Sequence, residues 1–377
     1  MVKAVVIGAG YAGTAAAAKM EKMGMEVTIF NSRERFVHLM GGLRASLVAN
    51  WSQRVLPPLT GLLKTGKVVL SPATRIDPAA RTVTAASGES VTYDVLVLAT
   101  GYLSPKTVGS VGTATTAEAM GNAYAQRRAT LAEAQNVLII GGGPVGIELA
   151  GEIATEMPGK KVTLLSSKDL MENPLAPYRE KFKTFLRTRL LSLGVAVQTN
   201  VGKVAFDASA VDEFGSIVGQ KRYTWEGGEI DADLCFVATG GGEPASIYSA
   251  SGLGDWLDET GHVKVADTFA VTADNAGGVI FAVGDCNDLA LPKLGYLAGE
   301  AGKAVAKNAA LAAALQPLKP LAGKPQAMAL VPVARLRGAG QLVYPVIGDF
   351  FTRTIKGKDL FCTKTWGAIG AGVPPPS

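Results

Sequence analysis

The sequence has little of what many redox and metal proteins use. It holds two histidines, His38 and His262, and three cysteines, Cys235, Cys286 and Cys362. No C-x-x-C pair occurs, and the cysteines are too scattered for a disulfide framework or a zinc site. A haem held by two histidines would need both, from distant parts of the chain. No metal is therefore expected, and the free thiols suit a reducing, cytoplasmic setting. Long apolar runs are missing too. No stretch of about 18 apolar residues lacks charge, so no transmembrane helix is expected. Lys3 followed by an Ala-rich run mimics a secretory signal, but its glycine spacing has a better explanation. Residue 2 is Val, so the N-myristoylation pattern is absent. Basic residues exceed acidic ones only by 37 to 32. They are spread along the chain without aromatic–basic clusters, so no nucleic-acid partner is expected.

What is abundant is glycine, 45 of 377 residues, in a chain that is 48% hydrophobic. The length allows two or three domains, each with a core. The excess glycine points to tight turns and close backbone approach to a ligand. Residues 2–7 (VKAVVI) read as a buried strand. Gly8-Ala9-Gly10-Tyr11-Ala12-Gly13 follows, then a helix to about Met23 and a strand Glu26–Phe30. This is the dinucleotide fingerprint in its required strand–helix–strand setting. Gly8 permits the turn, Gly10 lets backbone N–H groups reach a pyrophosphate, and Gly13 lets helix and strand pack closely. The helix N-terminus meets the anion with unpaired donors and a positive dipole end.

The pattern recurs. A strand at 136–140 (NVLII) precedes Gly141-Gly142-Gly143-Pro144-Val145-Gly146, a helix to about Glu156, and a strand Lys161–Leu165. Residues 87–101 (SGESVTYDVLVLATG) and 227–240 (GGEIDADLCFVATG) extend the duplication. Each reads as a hairpin turn, a short strand, a buried strand and then Ala-Thr-Gly. Two nucleotide-binding units are expected, the second inserted into the first. A third strand over 278–288 (GVIFAVGDCND) ends at Gly284 with Asp285 at its tip, before a helix that begins near Tyr296. Pro317, Pro320 and Pro325 punctuate a linker, residues 328–370 form a small cap of strands and one amphipathic segment, and residues 371–377 are expected to fray.

With these residues in place, the sequence resembles the two-dinucleotide-binding flavoproteins. Within them it resembles the ferroptosis-suppressor and apoptosis-inducing-factor-homologue family of FAD-dependent NAD(P)H:quinone oxidoreductases, related to type II NADH dehydrogenases. The resemblance spans nearly the whole chain. It rests on Phe36 with His38, Leu43-Arg44-Ala45-Ser46, Gly141–Glu148, Val283-Gly284-Asp285-Cys286, Pro292-Lys293 with Tyr296-Leu297-Ala298-Gly299, and Lys356 before Asp359-Leu360-Phe361 and Trp366. It implies an α/β fold: two Rossmann-like domains of the pyridine-nucleotide-disulfide-oxidoreductase type and a C-terminal α+β cap. The expected FAD domain is 1–112 with 230–316, the NAD(P) domain 113–229, and the cap, 317–377, faces quinone and membrane.

The resemblance further implies FAD at the first fingerprint and NADH or NADPH at the second. FAD contacts are expected from Gly8, Gly10, Gly13, Thr100, Gly101, Asp285, Lys293 and Tyr296. Asn31 stands where an acid usually holds the adenosine ribose; an amide can still bond a hydroxyl there, with Arg33 beside it. Arg44 is read as near the flavin or its pyrophosphate, or else in a surface salt bridge. The nicotinamide cofactor is expected at Gly141, Gly143, Gly146, Thr239 and Gly240. Glu148 has the family's position for the nicotinamide amide. Glu152 shares its helix face, and Glu148 is the one favoured for function. The strand after the second fingerprint ends Leu165-Ser166-Ser167-Lys168, without the acid that repels a 2′-phosphate. Lys168 can pair with one or point to solvent, so both NADH and NADPH are expected to serve. Lys293 or the helix after it would stabilise negative charge on a reduced flavin. Lys356 positions flavin or quinone, through Glu148, unless its run RTIKGKDLFCTK is only a solvated face or a lipid contact with Phe350, Phe351, Phe361 and Trp366.

Disulfide reductases carry paired cysteines beside the flavin, and NADH peroxidases a single one. Here that stretch is His38-Leu39-Met40-Gly41-Gly42. Electrons must then pass from flavin to a separate acceptor; quinones, oxygen and small redox proteins all remain, and a ubiquinone-type quinone is the leading reading. A small redox protein is the second, and a flavin-bearing DNA-binding or interaction protein the last. A monomer and a homodimer both remain open.

Overall fold

The computed structural model describes residues 1–102, 107–240, 245–321 and 328–376. The chain opens with β1 (Lys3–Ile7), α1 (Tyr11–Lys22) and β2 (Glu26–Phe30). Two short helices follow, α2 (Leu39–Ala45) and α3 (Trp51–Arg54), then β3 (Lys67–Val69). Strands β4 (Ala73–Asp77), β5 (Thr82–Ala85) and β6 (Ser90–Thr92) form an antiparallel meander that delivers β7 (Val95–Leu98) to the centre of the sheet. Helix α4 (Ala117–Glu133) leads to β8 (Asn136–Ile140), α5 (Pro144–Glu156), β9 (Lys161–Ser166), α6 (Glu180–Ser192) and β10 (Ala196–Thr199). The hairpin β11 (Ser216–Trp225) and β12 (Gly228–Val237) is followed by α7 (Ile247–Ala250), β13 (Ile280–Ala282) and α8 (Gly295–Ala313). The cap adds β14 (Ala329–Val333), β15 (Arg337–Gln341), β16 (Val346–Ile347), α9 (Asp349–Thr352), a π-helical turn at Arg353–Gly357 and α10 (Cys362–Ile369).

Two five-stranded sheets result, in the orders β13-β7-β1-β2-β3 and β10-β9-β8-β12-β11. The first is parallel throughout the paired registers. Its strands read as continuous apolar runs because both faces are covered. Val6, Val95, Val97, Ile29 and Phe281 are all buried under α1 and α8. Those two helices meet through small residues, and a Cβ added at Gly302 would stand 2.3 Å from the Ala12 carbonyl oxygen. The Ala-rich composition of both helices is what permits this approach.

The two fingerprint units fall where the sequence places them, but the second hairpin differs. Its short strand and buried strand are one ten-residue strand, β12, paired along its length with β11 and at its end with β8. A domain boundary at 229/230 therefore cuts a strand of the second sheet, and 230–237 belong to the NAD(P) unit with the Ala-Thr-Gly that ends it. The reason is local: Glu226-Gly227 makes a tight turn between two long alternating strands, so no break separates the halves. Helix α8 begins at Gly295, the linker around Pro317 and Pro320 is non-helical, and Pro325 lies outside the described residues. Instead of fraying, the tail is held at Pro375, whose carbonyl accepts from the Arg54 guanidinium.

Candidate functional site

Gly8 and Gly141 end β1 and β8 with φ of +103° and +132°, which suits glycine. A Cβ at Gly13 would lie 1.9 Å from the Gly8 carbonyl oxygen, and one at Gly146 2.0 Å from that of Gly141. At Gly10 and Gly143 a Cβ would meet nothing within 4 Å. These middle glycines border open cradles. The helices they cap, α1 and α5, have no side-chain cap and no acid in the first turn. Their first N–H groups are left for a ligand, and the dipole favours an anion. Helix α8 likewise starts uncapped at Leu294. These features fit FAD and a nicotinamide dinucleotide.

Between the two units lies a cavity of about 600 Å³. One wall is Gly143, Pro144, Thr239 and Gly240; the other is the segment 287–294 with Asp258, Thr260 and His262. Asp285 lies at the end of the first sheet beside this segment. Burial by the surrounding protein raises its carboxyl, while Lys293 and His262 pull it back. Lys293 donates to the Asn287 carbonyl at 2.9 Å, and burial lowers its ammonium pKa. Thr100 bonds the Tyr248 hydroxyl at 2.9 Å, and Gly101 and Gly240 both take positive φ. Tyr296 is on the first turn of α8, 40% exposed.

Four charged side chains are sealed where the units meet the cap. The π-helical turn carries Lys356 inward, and its Nζ donates to Glu148 Oε1 at 2.7 Å and to the Leu330 carbonyl at 3.0 Å. One turn along α5, Glu152 takes a forked bond from Arg44, with Nε at 3.0 Å and Nη2 at 2.5 Å. Arg44 Nη1 reaches the Gly357 carbonyl at 2.8 Å, and its guanidinium stacks over Trp51. Burial raises the Glu148 carboxyl, and Lys356 only partly offsets this.

Four sequence expectations change here. Arg44 has all three guanidinium nitrogens engaged by protein and is wholly buried, so it is a structural ion pair between α2 and α5 and not a flavin contact. Arg33 donates to the carbonyls of Gly112 and Ala114 and fastens the connection between units, away from a ribose role. Asn31 turns its amide on the backbone of Ala9 and Arg33, supporting the first fingerprint loop. Trp366 is buried, with Nε1 bonded to the Arg54 carbonyl, so of the four aromatics expected at lipid only Phe350 and Phe351 are strongly exposed, beside Ile355. Lys168 is exposed at the end of β9.

The sequence gives no warning of a second cluster. His38, fully buried, donates from Nε2 to the Leu360 carbonyl at 2.6 Å. Its Nδ1 then accepts, and the Tyr11 hydroxyl lies 3.0 Å away. Burial pushes the imidazole down to about 4, so it is neutral. Leu360 and Phe361 both have positive φ, 49° and 61°, a strained pair that presents this carbonyl.

Among the described residues no group of His, Cys, Asp and Glu could hold a metal, and no helix is long and apolar enough to cross a membrane. Residues 2–313 match the family described as pyridine nucleotide-disulphide oxidoreductase. The chain is 29% identical to ferroptosis suppressor protein 1 of Taeniopygia guttata over 384 residues, covering 99% of this chain and 97% of that one. It is 30% identical to the FAD-dependent oxidoreductase FVFD30 of Flammulina velutipes, over 76% of this chain and 84% of the other. The fold is similar to that of the sulfide:quinone oxidoreductase from Aquifex aeolicus, with a TM-score of 0.70, 17% identity, and coverage of 100% and 93%. With paired cradles, the groove between them and a family match over most of its length, the chain belongs to the pyridine nucleotide-disulphide oxidoreductases and is an FAD-dependent NAD(P)H oxidoreductase.

Proposed function

We propose that the protein reduces a ubiquinone-type quinone to its quinol with electrons from NADH or NADPH. The observation that carries this is the fate of its sulfur. All three cysteines are free and buried, and burial raises each thiol. Cys286 is spent on the carbonyls of Leu98 and Val283. No thiolate relay serves the groove, so electrons leave to a separate acceptor. The name of the similar sulfide:quinone oxidoreductase and the family resemblance of the sequence support a quinone. So does the exposed apolar edge of the cap, Phe350, Phe351 and Ile355, which with Arg353 suits a peripheral lipid contact.

When bound, FAD would take a hydride equivalent from the nicotinamide and pass two electrons on. Gly8, Gly10 and Gly13 with the α1 N-terminus would hold its pyrophosphate, and Asp285 its sugar-alcohol chain. Gly143 and the α5 N-terminus would hold the donor's pyrophosphate. Glu148, fixed by Lys356, orients the carboxamide. Lys293 and the start of α8 favour negative charge at the flavin edge.

The test is anaerobic. NADH should bleach the yellow protein, and a short-chain quinone should restore the colour at a rate little changed by salt. A bleached protein that ignores every benzoquinone and naphthoquinone ends the quinone reading. A rate that collapses with salt and appears only with a small acidic redox protein points to that partner instead.

Exposed Lys168 gives a further expectation. Both donors should support turnover, and Lys168→Ala should lower kcat/KM for NADPH several-fold while sparing NADH. A native preference for NADH above about a hundredfold, near 2.7 kcal/mol, would contradict this.

A further inference from the structure

We propose that His262 binds the hydride donor, its Nε2 accepting a hydrogen bond from a hydroxyl or amide N–H of the nicotinamide–ribose half. This rests on the family reading that the groove takes NAD(P)H. His262 closes a tight turn that begins at Asp258, whose N–H bonds the His262 carbonyl at 2.8 Å. Asp258 Oδ1 accepts three bonds: Thr260 N at 2.8 Å, Thr260 Oγ1 at 2.8 Å and His262 N at 2.9 Å. Burial opposes ionisation of this carboxyl, but these bonds win and hold it below the usual range.

The proton count then follows. A carboxylate only accepts, so the single Thr260 hydroxyl proton goes to Asp258. Thr260 Oγ1 lies 2.7 Å from His262 Nδ1 and must accept there. A ring with a single proton therefore carries it on Nδ1 and leaves a bare lone pair on Nε2. Tyr102 stacks flat on the imidazole, centroids 4.3 Å apart at 1°, and its hydroxyl donates to the Thr260 carbonyl. The stacked tyrosine on one face and the hydrogen bond at Nδ1 oppose rotation of the ring.

Asp258, Thr260 and His262 all line the cavity opposite Gly143 and Pro144. Nε2 has no hydrogen-bond partner among the described residues, and the side chain keeps 22% of its exposure. Three hydrogen bonds and a stacked ring thus hold one tautomer, with its acceptor at the groove wall. The complement must be a donor. A pyrophosphate has none, whereas the ribose hydroxyls and carboxamide of the donor do.

The experiment measures NAD⁺ binding to the FAD-loaded protein by titration calorimetry. His262→Ala and His262→Asn should bind about fivefold more weakly, the worth of one hydrogen bond. His262→Gln, whose amide reaches the place of Nε2, should return within about twofold of the parent. With NADH as substrate the change should fall on KM and spare kcat. Flavin content and Tm report folding for each variant. Parent-like binding by the alanine variant overturns the proposal. So does rescue by Asn but not Gln, because Asn replaces Nδ1 and restores only the turn. If the parent itself fails to bind NAD⁺, the family reading fails first and this inference with it.

Discussion

Lys356→Met should be among the most damaging single changes in the chain, costing about 3–5 kcal/mol. It would leave Glu148 buried without its cation, and water cannot replace the lost partner. Glu148 and Lys356 are 7% and 8% exposed. The deficit should show as a lowered urea midpoint and Tm. Bleaching by NADH should slow by about 10–100-fold as Glu148 loses its fixed orientation, the order expected for small misplacement of a positioning group. The pH dependence has a definite sign. Burial lifts the Glu148 carboxyl above its usual value, Glu152 adds to this, and Lys356 and Arg44 oppose it. Without Lys356 the lift grows. Above pH 4.5, the ordinary carboxyl value, the folded variant then keeps a proton that the unfolded chain has released. Its stability should rise as pH falls from 7 toward that value. Adding Glu148→Gln should recover most of the loss and flatten the pH response. A single variant as stable as the parent at pH 7 would remove this account of the cluster.

Gly143→Val should separate the two nucleotide sites. A Cβ there meets nothing within 4 Å, so the fold has room for it. The branched side chain instead fills the cradle at the α5 N-terminus. The purified variant should stay yellow with normal flavin content, yet NADH should no longer bleach it, with an apparent affinity loss of a hundredfold or more, about 2.7 kcal/mol. Gly10→Val should give the converse, a folded but colourless protein. Gly146→Val is the control for packing: its Cβ would sit 2.0 Å from the Gly141 carbonyl, so it should fail to fold. Normal bleaching of Gly143→Val would place the donor elsewhere.

Much of this was legible because glycine carries it. Backbone approach leaves a chemical signature at fixed spacing, so both fingerprints, with β1, β2, β8 and α5, could be read off one sequence. The run GGEIDADLCFVATG was misdivided, because a turn followed by alternating residues looks alike whether one strand or two follow. The arginines were harder. Arg33 and Arg44 lie near the first fingerprint in sequence, which suggests a ribose for the first and a flavin or pyrophosphate for the second. Their partners, the backbone of 112–114 and Glu152, are set by how distant segments pack. Lys356 and Glu148 are 208 residues apart, and periodicity carries no information at that range. The resemblance to a family supplied that link. His262 enters the sequence reading only as half of an excluded haem pair, since its surroundings form around a cavity that only folding creates.

The π-helical turn that carries Lys356 lies near the far end of the chain, and this sets an order of events at the ribosome. At about 5–20 residues per second, the 208 residues separating Glu148 from its cation take roughly 10–40 s to emerge. Once β13 has emerged, at residue 282, both nucleotide sheets can be complete while Glu148 still lacks its ammonium counterion and Arg44 the Gly357 carbonyl. Nascent protein should therefore hold a hydrated, loosely closed seam until the last sixth of the chain arrives. Maturation ends with the cap, and a ribosome stalled before residue 356 would display a protease-sensitive seam that the finished molecule conceals.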